Sequence, residues 1–168
     1  MCTLRFISSL TAVILISAFL AVAASEPPQS GKEADHNRKG LQYYEEAFYQ
    51  QLPKGKQREA DEFFDLAARE FKAAIAANPK SAAAHRNLAR VYYIREDFLR
   101  AADAYRTVTI LEPQDIDAYM LLALSYTQAD RFAEAVQTLE TARTIASDPG
   151  VIAKLDGYIR KIKDRGQD

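Results

Sequence analysis

Residues 82–113 and 116–147 repeat one another at a spacing of 34, and the repeat falls on positions that have to pack. Ala84/Ala118, Leu88/Leu122, Ala89/Ala123, Tyr92/Tyr126, Phe98/Phe132, Ala101/Ala135 and Thr107/Thr141 are identical, while His85 faces Tyr119 and Tyr105 faces Leu139. The charged positions between them vary freely. A period of this length marks a supersecondary unit that cannot bury its apolar face alone and must stack on neighbours of the same kind.

Local chemistry says what the unit is. Alanine-rich, well-charged sequence with few Gly and Pro favours closely packed helices. Ala89 and Ala101 are small where the two helices of a hairpin cross. Tyr92, Phe98 and Tyr105 fill the space between that pair and the next. Glu96-Asp97 and Asp130-Arg131 sit in tight turns. Pro79 and Pro113 end helices, because the ring removes a donor and restrains the preceding residue. Ser81 and Asp115 then stand where the next helix needs an N-cap.

These residues, His85-x2-Leu88-Ala89-x2-Tyr92, Ala101-x3-Tyr105 and Pro113, resemble the tetratricopeptide repeat. Tyr119-x2-Leu122-Ala123-x2-Tyr126 and Ala135-x3-Leu139 meet the pattern a second time, with Pro149 two residues beyond the expected proline. His85 and Tyr119 replace the family's Trp, and Ala replaces its Gly. The resemblance implies an all-α solenoid of antiparallel helix hairpins: about three units, seven helices in all, closed by a C-terminal capping helix.

The first unit is irregular. Ala67-x3-Phe71, Ala74 and Pro79 form a regular second helix, but aligning Gly40 with Ala89 leaves an excess of fifteen residues before Ala67. Lengthening both helices by some two turns each absorbs it, with Leu52-Pro53-Lys54-Gly55-Lys56 as the turn at the tip. The expected organisation is a leader at 1–25, a flexible linker at 26–35, an extended hairpin at 36–80, units at 81–114 and 115–147, and the cap and tail at 148–168. Asp148-Pro149 starts the cap, with Asp as N-cap and Pro at the first helical position. Ile152, Leu155, Ile159 and Ile162 form its apolar face.

The leader reads as a secretory signal peptide: Arg5, an uncharged run from Phe6 to Ala24, and a small-residue exit at Ala21-Val22-Ala23-Ala24-Ser25. The competing reading is an uncleaved anchor, since about 20 apolar residues span a bilayer. Export implies an extracytoplasmic site, the periplasm of a Gram-negative bacterium, or the same space facing an inner-membrane anchor. Cys2 is the only cysteine. Once the leader is removed there is no disulfide, thiol nucleophile or thiolate-bound metal.

No cofactor, metal site or small-molecule substrate is expected. His36 edges the linker and His85 occupies a packing position. No ligand spacing, phosphate loop or nucleophile elbow is present. A net charge of −1 gives no reason to expect nucleic-acid binding.

The resemblance implies protein or peptide binding along a concave groove lined by the first helix of each unit. The candidate lining is Arg86, Arg90 and Tyr93 from one unit and Met120, Leu124 and Gln128 from the next, with Ala83, Ile94, Asp117 and Thr127 beside them. Arg86 and Arg90, at i and i+4, share a face suited to a partner carboxylate; pairing within the chain is the competing reading. Some family members clamp a C-terminal carboxylate with a Lys/Asn/Arg set. Asn87 matches one member, but Asp117 and Leu121 stand where bases are needed. The basic end Arg160-Lys161-Ile162-Lys163 suits the negative end of its helix, or an acidic lipid surface. Tyr43, Tyr44, Phe48, Tyr49, Phe63 and Phe64 exceed one core contact, a surplus that suits a partner or a second copy of the chain. Two binding functions fit: an adaptor in the assembly of an envelope complex, and a holding chaperone with many weak clients. An enzyme with a dispersed site is the remaining alternative.

Overall fold

The computed structural model describes residues 29–166. The expected signal peptide lies outside them. Among the described residues there are seven α-helices and no strand: α1 (Gln29–Glu45), α2 (Gln57–Ala77), α3 (Ala82–Ile94), α4 (Phe98–Leu111), α5 (Ile116–Gln128), α6 (Phe132–Ile145) and α7 (Pro149–Arg165). Each packs on the next in order, and α1 also touches α3. The result is three hairpins and a closing helix.

The boundaries follow the expected chemistry. Ser81, Asp97, Asp115 and Asp148 each accept a hydrogen bond from a backbone N–H three residues on, which satisfies one of the orphan donors at a helix start. The turns inside the second and third hairpins are closed by Glu96 and Asp130, with φ of 59° and 56°. Both are short-loop positions where a left-handed residue reverses the chain.

Burial is relayed along the stack. Tyr44, Phe64 and Phe71 of the first hairpin pack with Leu88 and Val91 of α3. Ala89, Ala102, Ala104 and Tyr105 of the second share a cluster with Leu122 of α5. Ala123, Ala135, Leu139 and Ala142 of the third close against Leu155 and Ile159 of α7. Every cluster therefore spans two units, and no hairpin completes its own core.

The first hairpin is lengthened on both arms. Helix α2 has 21 residues against 14 in α4, and the first arm continues past Glu45 as a π-helical turn (Glu46–Gln51) and a 3-10 turn (Leu52–Lys54). Gly55, at φ 70°, ends it. The two arms approach closely at Gly40, where an added Cβ would lie 2.5 Å from the Phe71 ring. The linker expected at 26–35 is different: the chain is helical from Gln29. Pro28 is the last proline before Pro53, so no proline breaks a helix after it, and Glu33 in that stretch and His36 at its edge have partners. Glu33 accepts from the Ser81 hydroxyl at 2.7 Å, and His36 lies 2.6 Å from Glu70.

Gly40→Val should destabilise the fold by about 2 kcal/mol, because the buried Phe71 ring must move and overpacking costs ~1–3 kcal/mol. Urea unfolding followed by circular dichroism measures this; an unchanged midpoint would contradict the close approach of α1 and α2.

Candidate protein-binding groove

Helices α3 and α5 are the first helices of consecutive units, so residues 34 apart on them occupy matching places. Arg86 matches Met120, Arg90 matches Leu124, and Tyr93 matches Thr127. The two arginines are engaged within the chain. Arg86 pairs with Glu112 and, at 2.7 Å, with Asp115 at the start of α5. Arg90 lies over the Tyr44 ring, 4.7 Å from its centroid, with its Nη2 3.4 Å from the hydroxyl. They share a helix but reach opposite ways, one to the following unit and one to the preceding hairpin. Tyr93 packs edge-on against Phe98, with ring centroids 5.4 Å apart. Asn87, the one match to a carboxylate clamp, donates to Asn37 of α1 at 3.0 Å.

Electrostatics follow from these contacts. Partial burial pushes the Asp115 carboxyl up, but hydrogen bonds from Arg86 and the Ala118 amide, with the Arg86 charge, outweigh it and hold the group below its ordinary range. Burial raises the Tyr44 phenol, against the opposing charge and hydrogen bond of Arg90. Behind them, burial pushes the Tyr105 phenol up to about 12.

Met120 and Leu124 do come together. They line an apolar cavity of about 340 Å³ with Leu121, Ala123, Thr127 and Leu139, closed on its far side by Tyr158, Lys161 and Ile162 of α7. That volume is at the low end of the ~300–1,000 Å³ typical of ligand pockets. The Thr127 and Ser125 hydroxyls are engaged by the backbone, each donating at 2.8 Å to a carbonyl four residues back. Gln128 is exposed at the end of α5 and is not part of the lining. The α7 residues were the part missed from sequence. Their signal was present: counted from the N-caps Asp115 and Asp148, Leu122 and Leu155 take the same place, as do Tyr126 and Ile159. Helix α7 thus occupies the place of the first helix of a further unit, and it walls the groove as well as covering the core. Among the described residues, no group of three or more His, Cys, Asp or Glu is placed to hold a metal ion.

Stacked helix hairpins with a groove along their first helices make an α-solenoid. Two tetratricopeptide-repeat models match, over residues 52–116 and 93–155. Together they span more than half of the chain, which belongs to the tetratricopeptide-repeat family. A sequence comparison with curated proteins gives no match. Among solved structures, the TPR2B domain of yeast Sti1 in complex with pHsp70 is similar at a TM-score of 0.59 and 18% identity, over 80% of this chain and 98% of that one. The first TPR domain of Spaghetti (RPAP3) bound to an HSP90 peptide gives 0.55 and 17%, over 79% and 96%. The CopN–Scc3 complex gives 0.54 and 20%, over 73% and 68%. At these identities the likeness is one of fold. Tetratricopeptide-repeat domains are in general protein- and peptide-binding scaffolds.

Replacing Asp115 separates its two roles. Asp115→Ala removes both the cap and the ion pair and should cost about 1–2 kcal/mol. Asp115→Asn keeps a capping oxygen and should cost less. Because the folded carboxyl is held below its unfolded value, its contribution is present above that value and is lost as pH falls through the folded one. Asn at this position should therefore flatten part of the acid-side loss of stability, read from urea midpoints between neutral pH and about pH 3.

Proposed function

We propose that this chain is an exported adaptor that holds a segment of a partner protein in the groove between α3, α5 and α7, in the assembly of an envelope complex. The observation that carries the binding reading is the open apolar cavity. Leu124 is 41% exposed and Tyr158 42% exposed on its walls. Large apolar groups left open on a concave face, backed by a packed scaffold, suit an anchoring side chain of a partner. The neighbours bound to chaperones and peptides support the same reading. Export rests on the leader, from Arg5 through the run Phe6–Ala24 to its small-residue exit.

Site-specific photo-crosslinking in the native host tests the groove. A crosslinker at Leu124 should trap one defined partner, and one at Ile110, which is 72% exposed on α4, should not. A ladder of many clients at Leu124 would favour the holding chaperone, and equal capture at both positions would remove the groove assignment.

Mass spectrometry of the exported protein tests the leader separately. The expected mature N-terminus follows Ala23, Ala24 or Ser25; an intact leader in the membrane fraction means an anchor.

A further inference from the structure

The groove reading leaves the chemistry of the occupant open, and the charges around the cavity narrow it. The lining contains one charged side chain, Lys161, and no acid. Lys161 is exposed and has no ion pair among the described residues. Arg90 is a further cation to consider: the Tyr44 ring and hydroxyl hold its guanidinium, and among the described residues no carboxylate pairs with it. Arg86 is already matched by Glu112 and Asp115.

Geometry relates these two cations to the apolar floor. Arg90 and Leu124 occupy matching places on consecutive first helices, and packed helices lie roughly 8–10 Å apart. Lys161 lies across Leu124 on the α7 side of the same cavity. The order across the groove is therefore cation, apolar floor, cation. An extended peptide rises about 3.3 Å per residue, so two to three residues cover the distance from the floor to the Arg90 position.

We propose that the cavity seats one apolar side chain of an extended segment of the partner, which carries a carboxylate two to three residues away on each side, one for Arg90 and one for Lys161. This rests on the groove reading and gives it a recognition chemistry. The apolar side chain fills the space over Met120 and Leu124. The flanking acids meet cations that no acid among the described residues already pairs. Tyr158, 42% exposed on the cavity wall, adds an aromatic face and a hydroxyl beside the seated side chain. A fatty acid shares the pairing of an apolar tail with one carboxylate, but it leaves Arg90 unanswered.

The test is fluorescence polarisation of the full chain, expressed with its own leader, against a labelled peptide Gly-Glu-Ser-Leu-Ser-Glu-Gly. Changing the peptide Leu to Ala should weaken binding at least tenfold. Changing both Glu to Gln should weaken it at least fivefold and remove most of its salt dependence. In the protein, Leu124→Asp should lose binding. Lys161→Glu should weaken the parent peptide at least fivefold while improving a peptide in which one Glu is replaced by Lys. Both sites are solvent-exposed, and thermal melts of the two variants should match the parent. Unchanged binding by Leu124→Asp and Lys161→Glu overturns the proposal, as does uptake of decanoate with no peptide binding. If those two variants bind normally while Arg90→Ala and Tyr93→Ala do not, the groove stands and this chemistry falls. If no peptide binds and crosslinking at Leu124 traps nothing, both fall.

Discussion

Close crossing of helices at alanine is the contact from which the rest of this structure follows. Ala67, Ala89, Ala101, Ala123 and Ala135 are almost completely buried, at the repeat positions where a hairpin's two helices have to cross. A larger side chain at any of them would push the pair apart and open the cluster that the pair shares with its neighbour. Gly40 does the same for the first hairpin, with Phe71 against it. Because the clusters span units, spacing errors would not stay local. The pitch of the stack, and with it the separation of α3, α5 and α7 across the groove, is set by these small residues.

The second and third hairpins were legible in sequence because their determinants are short-range and repeat. A cap, a crossing alanine, a turn and a proline each act within a few residues, and two copies at one spacing reveal them together. The first hairpin was legible in outline only. Its tip at Gly55 and the lengthening of both arms follow from residue count, whereas the π-helical turn depends on how Tyr44, Phe48 and Phe64 settle against one another. The helical start at Gln29 was hidden for a related reason. Glu33 looks like part of a solvated tether, with His36 at its edge, until Ser81 and Glu70 are brought beside them.

The groove shows the same division. Met120 and Leu124 were found because an apolar residue at an exposed repeat position is visible without a structure. The fates of Arg86 and Arg90 were not, since helical spacing places two arginines on one face but leaves their reach undecided. Tyr158 was overlooked and Lys161 was read only as part of a basic helix end, because the packing role of the terminal helix was argued from its apolar stripe. The side of α7 next to that stripe completes the cavity.

The pairing of Arg86 with Glu112 and Asp115 also bears on selectivity. These carboxylates are tethered by the fold beside the guanidinium, so they compete for it at a high effective concentration. An acidic ligand arriving there would have to exchange for an anion already in place, and would gain little beyond what it displaced. Arg86 is therefore a self-quenched charge: basic in the sequence, but already answered by carboxylates of its own fold.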